Sequence, residues 1–536
     1  MQVRPQTQVP ARTLSPRYVS VGDSLTAGMQ DATLTEDRQA ASYPNLIARQ
    51  AGLSFCQPSV DRRGIPPAIF LKENASLWRA LLRYLQVTVA AAAPVAAVAA
   101  GLVPPEELLL PLCHVPAMGR VETEPPFQNL AIPGFELRHL TGVGNVTELM
   151  QEMADHGTSS PMLVALGPYV KGILQNGGPA SSGRSEIDRA VEQQPDLVTL
   201  WAGNNDALES AIKSVVDDRT LTPMDDQRWL YHTYNPFTGR MTPHRTEQVM
   251  RGFRDALVGP SGAVTRLLEE TEAHVVLLNI PDVTVIPYLR PVGQKVGPLP
   301  FRIVLPNGTD VTRIIEEWTI PSRIRGDGKS GRSDFPEGTY VGLGMLLSKF
   351  TEMIDPFDQA DLERGMNRLA DQGGVFTEDE GLDPDELALV RERTAEYNSL
   401  LRSCASAHER VHLVDIAGVL EQARQQGVPL RGDSPEPIVV TNTFTGQQDP
   451  RGYEGFFSYD GVHPSDVGQA VIANRILDAV RQEMADVPSL APIAAAPPVD
   501  EKAIFRADPH RTGSPQFILS RVNTDPFKTR ERLGLF

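Results

Sequence analysis

The chain has 536 residues, of which 41% are hydrophobic and 22% are charged. This composition is that of a folded protein with enough apolar side chains for a large core, and it excludes an intrinsically disordered chain. The formal net charge of −17 argues against a nucleic-acid partner, because a polyanion is repelled by an acidic surface. Cys56, Cys113 and Cys404 are widely spaced and predict neither a disulfide framework nor a zinc site.

Short apolar runs in chain order predict buried parallel strands. Each is rich in β-branched residues and stops at Gly or Pro, as strands do. They are residues 17–22, 196–203, 273–281 and 411–418, with a weaker fifth candidate at 127–134. Helical patterns at residues 247–273 and 384–409 precede the last two of the four main strands. Strands alternating with helices indicate an α/β fold with a parallel sheet, in which ligands bind beyond the carboxyl ends of the strands.

Two long segments predict insertions into this core. Residues 62–126 are rich in Ala and Leu and include a nearly polar-free run at residues 87–103. That run has only the minimal length of a membrane span and Pro94 interrupts it, so we favour a buried helix pair or a cap over the sheet. The alternatives are a membrane span and an apolar lid that touches lipid. Residues 288–383 are rich in Gly, Pro and charge, and we expect decorating loops and helices.

The chain ends divide the sequence further. We expect a core domain at residues 18–485, with a linker and tail at residues 486–536 that either dock on it or bind a partner. Residues 1–17 form an N-terminal extension without the apolar segment of a secretory signal. The protein is therefore expected to be cytoplasmic unless a leader is missing from this sequence. The oligomeric state stays open.

A serine follows the first predicted strand directly, in Gly22-Asp23-Ser24-Leu25. Its hydroxyl would lie at the carboxyl end of the sheet, where a nucleophile can meet a substrate. The alternative is a helix N-cap, a role that serine commonly fills at such turns. The Gly-x-Ser-x-Gly elbow of α/β-hydrolases does not apply, because Thr26 occupies the position of its last glycine.

Three other polar stretches contain the remaining groups that ester hydrolysis through an acyl-enzyme needs. Asp460 and His463 are three residues apart, a spacing that allows a base and its orienting group to face one site. Asn205 follows an apolar strand, and its amide can donate to an oxyanion. Gly134 would let its backbone N–H approach a ligand closely. Taken singly, each of these residues also fits an ordinary polar turn.

In chain order these stretches resemble the blocks of the SGNH, or GDSL-type, serine hydrolase family. The matching residues are Gly22-Asp23-Ser24-Leu25, Gly134 at the end of 129–134, Gly203-Asn204-Asn205-Asp206 and Asp460-Gly461-Val462-His463-Pro464. The resemblance implies a three-layer α/β/α sandwich with a central parallel sheet, flavodoxin-like in style. Small members of the family are less than half this length, so both insertions depart from the minimal pattern.

The resemblance also implies the roles of the site residues. Ser24 would be the nucleophile, His463 the general base and Asp460 the residue that orients it. The oxyanion hole would consist of the backbone N–H groups of Ser24 and Gly134 and the side chain of Asn205. No metal or organic cofactor is implied.

We therefore expect a carboxylic ester hydrolase of the lipase or esterase type, with Asp23 and Asp206 in supporting roles. Its substrate would be a small-molecule or lipid ester, since the apolar first insertion favours an acyl chain. The alternatives are a carbohydrate O-acetyl esterase and a non-catalytic envelope-binding or scaffold protein that retains the fold. Large bacterial members of the family are often exported, and residues 62–126 are the candidate for peripheral contact with a membrane or envelope.

Overall fold

A computed structural model of the protein describes residues 15–66, 119–155, 166–235, 240–305, 307–325, 331–353, 375–513 and 515–519. The apolar run predicted at residues 87–103, most of the first insertion and Cys113 lie outside these ranges. Among the described residues, no helix is both long and apolar enough to cross a membrane. Cys56 and Cys404 are free thiols.

The described strands pair into one larger sheet and several small ones. In chain order they are β1 (Tyr18–Gly22), β2 (Leu197–Trp201), β3 (Gln227–Asn235), β4 (Arg240–Met250), β5 (His274–Leu278), β6 (Leu289–Pro291), β7 (Arg302–Val304), β8 (Tyr340–Gly342), β9 (Val411–Val414), β10 (Val428–Pro429), β11 (Val439–Phe444), β12 (Glu454–Phe457) and β13 (Gln516–Ile518).

The described helices lie between and after these strands. They are α1 (Ser24–Ala27), α2 (Glu36–Ala40), α3 (Tyr43–Gln50), α4 (His139–Gly142), α5 (Val146–Asp155), α6 (Gly167–Gln175), α7 (Glu186–Glu192), α8 (Asn205–Lys213), α9 (Phe253–Val258), α10 (Ala263–Glu270), α11 (Thr312–Glu317), α12 (Leu343–Met353), α13 (Pro384–Ala407), α14 (Ile416–Gln425), α15 (Asp466–Glu483), α16 (Ala491–Ala494) and α17 (Glu501–Ala507). Short 3₁₀ turns occur at Ala180–Ser182, Val283–Val285, Glu378–Glu380, Pro488–Leu490 and Pro509–Arg511.

A parallel sheet in the order β1-β2-β5-β9 forms the centre of the fold, and its strands confirm the four main predictions. β1 and β2 are buried along their whole length. Such continuous burial is typical of parallel strands, which are covered on both faces. The fold is therefore mixed α/β with a central parallel sheet, as the sequence predicts.

The fifth predicted strand is only partly formed. The structure assigns a single parallel bridge, between Ser20 and Asn129, instead of a regular strand. Leu130 N donates to Ser20 O at 2.9 Å and Ile132 N donates to Gly22 O at 3.0 Å. The segment thus runs beside the free edge of β1 and brings the following turn to the carboxyl end of that strand.

One predicted helix begins later than the sequence pattern indicates. Residues 247–250 belong to β4, which pairs with β3 in an antiparallel ribbon, so this part of the prediction is wrong. The rest of the segment forms α9 and α10, with Gly259 and Pro260 between them. The helix predicted at 384–409 is confirmed as α13, whose Asp383 cap accepts N–H bonds from Asp385 and Glu386 at 2.9 Å.

The second insertion is more ordered than decorating loops. It contributes β6, β7, β8, α11 and α12, and its apolar side chains form a hydrophobic cluster apart from the main core. Phe517 from the C-terminal tail joins that cluster, because β13 pairs in parallel with β7. Leu490, Ile493 and Val499, in the segment predicted as a linker, are buried in the main core. The described part of the C-terminal segment is therefore docked.

Candidate active site

The first block of the predicted site lies where β1 ends and α1 begins. Asp23 is the N-cap of α1, because its Oδ1 accepts a hydrogen bond from Leu25 N at 3.0 Å. Ser24 is the first residue of the helix and its side chain is not the cap, so the alternative role for this serine is wrong. Ser24 is a buried residue that keeps 8% of its surface exposed.

The last block holds Asp460 and His463 in contact. His463 Nδ1–H donates to Asp460 Oδ2 at 2.7 Å. The other oxygen, Oδ1, accepts the backbone N–H of His463 at 2.9 Å and that of Val462 at 2.8 Å. Gly461 makes this tight loop feasible with a φ of 71°, in the left-handed region that glycine tolerates best. A pair with these bonds fixes the imidazole, so that its Nε2 is free to act on another group.

Charge and burial act in opposite directions on this pair. Burial would raise the pKa of Asp460, but the neighbouring His463 and the N–H bonds outweigh it and lower the pKa to about 2. Burial would likewise lower the pKa of His463, yet the Asp460 carboxylate, with Asp23 and Asp31, raises it above the usual 6.5. Asp460 therefore stays ionised at neutral pH and favours a proton on the imidazole.

The first and last blocks lie at the same edge of the sheet. Ala32 N donates to Asp460 Oδ2 at 2.7 Å, and Gln469 Nε2 donates to Leu25 O at 3.0 Å. Within the described ranges, no hydrogen bond joins the Ser24 hydroxyl to His463 Nε2. Hydrogen bonds between a nucleophile and its base are often loose without substrate and tighten in the bound complex.

The two middle blocks meet beside the first one. Asn205, the first residue of α8, donates from Nδ2 to Phe135 O at 2.8 Å. Gly134 has a φ of 81°, which turns the chain sharply at this point. Among the described residues, neither the Ser24 N–H nor the Gly134 N–H has a protein acceptor. The Asn205 amide carries a second hydrogen besides the one that Phe135 O accepts.

Asp206 makes a second contact between the same two blocks. Its Oδ2 accepts the backbone N–H of Leu137 at 2.9 Å, three residues beyond Gly134. Burial, together with the nearby Glu136 charge, raises the pKa of Asp206 to about 7. This contact ties the start of α8 to the loop that contains Gly134.

Two residues that the sequence patterns did not single out also shape the site. Asn204 Nδ2 donates to Asp23 Oδ2 at 2.9 Å and so connects the first and third blocks. The buried Glu186 accepts the N–H of Gly22, the residue before Asp23, at 3.1 Å. The repeated Asn in Gly203-Asn204-Asn205-Asp206 was a sequence signal for Asn204. Glu186 follows the capping residue Ser185, and its pattern indicates only a helix start.

The chain matches no protein-family model, no curated protein and no solved structure. Its function must therefore be argued from the geometry of the described residues. Among these, no group of three or more His, Cys, Asp or Glu side chains is placed to hold a metal ion.

Several buried carboxyl groups around the site make folding depend on pH. Burial raises the pKa of Asp23 to about 6 and that of Asp31 to about 7, against an ordinary value of 3.8. A group whose pKa is higher in the folded state stabilises that state at low pH, and this contribution is lost as pH rises through the folded-state pKa. Asp460, whose pKa is lowered, stabilises the folded state more as pH rises, but only between about pH 2 and pH 3.8.

We accordingly expect a higher melting temperature at about pH 5 than at about pH 8. Calorimetry across this range measures the difference. The Asp31→Asn variant should show a shallower dependence, because one of the titrating carboxyls is removed. A melting temperature that rises steadily from acid to neutral pH would contradict the raised pKa values.

Proposed function

We propose that the protein hydrolyses carboxylic esters through an acyl-enzyme on Ser24, as an SGNH-type serine hydrolase of the lipase or esterase kind. The observation that carries the proposal is the 2.7 Å hydrogen bond between Asp460 and His463, at the same sheet edge as Ser24. The free N–H groups of Ser24 and Gly134 beside Asn205 add the electrophilic half of such a site.

The order of the sheet supports the flavodoxin-like form of this fold. The segment at 127–134 follows β1 in the chain and lies on the outer edge of β1, before β2, β5 and β9. With that segment counted as the second strand in chain order, and β1, β2, β5 and β9 as strands 1, 3, 4 and 5, the order across the sheet is 2-1-3-4-5. This is the order of flavodoxin-like folds. The site occupies the carboxyl ends of strands where that order reverses, which is where ligands bind in such folds.

Acylation begins when Ser24 Oγ attacks the carbonyl carbon of the ester. His463 Nε2 accepts the hydroxyl proton as the new carbon–oxygen bond forms, and the carbonyl oxygen becomes an oxyanion. The N–H groups of Ser24 and Gly134 and the amide of Asn205 donate to that oxyanion. Protonated His463 then gives its proton to the departing alcohol as the ester bond breaks.

Deacylation repeats these steps with water as the nucleophile. His463 accepts a proton from water, which attacks the acyl carbon, and returns it to Ser24 Oγ as the acid leaves. Throughout, Asp460 accepts from Nδ1 and stabilises the charged imidazole. Its own pKa of about 2 keeps it ionised, so no proton passes to it.

A fluorophosphonate probe tests the proposal, because it phosphonylates an activated serine. We expect a single adduct that maps to Ser24, and hydrolysis of nitrophenyl esters of one or more chain lengths. A preference for acetate would favour the O-acetyl esterase alternative, and a preference for long acyl chains would favour a lipase. An unlabelled Ser24 together with no ester turnover would leave the scaffold alternative.

Asn205→Ala should lower kcat by on the order of 10²–10³-fold, as the loss of one oxyanion donor does in other acyl-transfer sites. KM should change little, since the donor acts mainly on the charge that develops in the transition state. Asn279→Ala is the matched control. Asn279 also follows a central strand, but its amide donates to Asp415 at 2.7 Å, away from Ser24. Equal losses in both variants would contradict the role of Asn205.

A further inference from the structure

A tight turn at Gln30–Thr33 lies next to the Asp460–His463 loop. Gln30 N donates to Thr33 O at 3.1 Å and Thr33 N donates to Gln30 O at 3.0 Å. Between them, Asp31 and Ala32 have φ values of 56° and 57°. Residues with a Cβ seldom adopt this left-handed conformation, and turns of this shape usually contain Asn and Gly. Contacts elsewhere must therefore hold the turn in place.

Those contacts are made to the loop that contains the proposed base. Ala32 N donates to Asp460 Oδ2 at 2.7 Å, the same oxygen that accepts from His463. Asp31 Oδ1 accepts the backbone N–H of Tyr459 at 2.9 Å, and Asp31 N donates to Ser458 Oγ at 3.2 Å. The conformation of the turn thus helps to set the direction of the Asp460 carboxylate.

The other oxygen of Asp31 belongs to a buried ionic cluster. Asp31 Oδ2 lies 3.5 Å from Arg38 Nη2 and 3.1 Å from His510 Nδ1. Arg38 is 3% exposed, and its Nη1 lies 2.9 Å from Asp466 Oδ1 and 3.5 Å from Asp508 Oδ1. These neighbours surround the buried Asp31 side chain and limit the positions that it can take.

Part of this cluster comes from the C-terminal segment. Asp508, which lies near Arg38, also accepts a hydrogen bond at its Oδ2 from Thr445 Oγ1 at 3.0 Å. His510, which lies near Asp31, also stacks its ring on that of Tyr459, with the ring centroids 4.7 Å apart. The Tyr459 hydroxyl donates to His510 O at 2.5 Å. Residues 508–510 therefore contact both the Gln30–Thr33 turn and Tyr459, the residue that precedes Asp460.

We propose that Asp31 and His510, which belongs to the C-terminal segment, are positioning residues for the Asp460–His463 pair. The inference rests on the proposed function, because it concerns the geometry of the proposed base. Asp31 touches no reacting atom. It stabilises the strained turn, and the Ala32 N–H of that turn orients the Asp460 carboxylate. His510 packs against the same two residues: its ring stacks on Tyr459, and its Nδ1 lies 3.1 Å from Asp31 Oδ2 without a hydrogen bond between them. The C-terminal segment therefore forms part of the frame around the pair.

The pH dependence of Ser24 reactivity offers a readout that a merely structural residue would not move. The charged or titratable groups around Asp31 are Arg38, Tyr459, Asp460, Asp508 and His510. Those that raise the pKa of His463 are Asp460, Asp23 and Asp31. Neutralising Asp31 removes one of these charges, so the pH at which His463 loses its proton should fall.

The rate of Ser24 phosphonylation by a fluorophosphonate, measured against pH on the full chain, tests the inference. Asp31→Asn should lower the rate roughly 10- to 100-fold at high pH, the cost of a misplaced catalytic group, and shift the acid limb to lower pH. The amide still accepts from Tyr459 N, so the variant should fold. His510→Gln should lower the rate in the same direction by less. It keeps the backbone carbonyl that binds the Tyr459 hydroxyl.

Glu436→Gln is the matched control. It breaks the exposed pair between Glu436 and Arg506, 3.0 Å apart, which also ties the C-terminal segment to the core. This variant should label at the wild-type rate. If wild-type Ser24 is not labelled, the proposed function itself is wrong. If wild type is labelled but Asp31→Asn matches it in rate and pH dependence, or Glu436→Gln is slowed equally, the positioning role is wrong.

Discussion

Replacing Ser24 by alanine is expected to lower kcat for ester hydrolysis by on the order of 10⁴–10⁶-fold, the loss seen when a serine hydrolase loses its nucleophile. The physical reason is that no acyl-enzyme can form, so only water held near the oxyanion donors remains to attack the ester. Folding should be unaffected, because Asp23 and not Ser24 caps α1. KM should change much less than kcat.

Initial rates on nitrophenyl esters, with mass spectrometry of the fluorophosphonate adduct, measure this effect. Ser20→Ala is the matched control, in the strand that precedes Ser24. Ser20 is fully buried and its hydroxyl has no hydrogen-bond partner among the described residues, so its removal costs no hydrogen bond and should leave turnover unchanged. Full turnover in Ser24→Ala would show that the proposed nucleophile is wrong.

Asp460→Asn is expected to lower kcat by on the order of 10⁴-fold, as the corresponding change does in a serine protease triad. Asp460 Oδ2 now accepts from both His463 Nδ1 and Ala32 N. An amide nitrogen in that place would confront two donors, so the imidazole would take the wrong tautomer or rotate away. The negative charge that stabilises the protonated imidazole would also be lost.

The pH profile separates these effects from a general loss of folding. In the wild type, kcat/KM should rise with pH as His463 loses its proton, at a pKa above the usual 6.5. Without the Asp460 charge that pKa falls, so residual activity in Asp460→Asn should persist to lower pH. Asp415→Asn is the control: Asp415 is also a carboxylate that accepts a side-chain and a backbone hydrogen bond, here from Asn279 Nδ2 and Gly418 N, and neither partner is a site residue. A Asp460→Asn variant with wild-type turnover would exclude the proposed base pair.

Local sequence was sufficient for the sheet and for the positions of the four blocks. Parallel strands buried on both faces need continuous apolar runs, and β1, β2, β5 and β9 have them. Polar residues directly after such runs must emerge at the carboxyl edge. Local pattern failed at residues 247–250, where strand pairing with β3 overrides an apparent helix period.

What the sequence alone determined is which residues could meet: Ser24 and Asn205 after two strands, and Asp460 and His463 in one short loop. What only the tertiary structure decided is how they are held. Ala32 N donates to Asp460, which is 428 residues away in sequence, and His510 of the C-terminal segment lies beside Asp31. No local propensity encodes such contacts, because they depend on the packing of whole elements. The cap of α1, in contrast, is a local contact between Asp23 Oδ1 and Leu25 N, and the structure assigns it to Asp23 and not to Ser24.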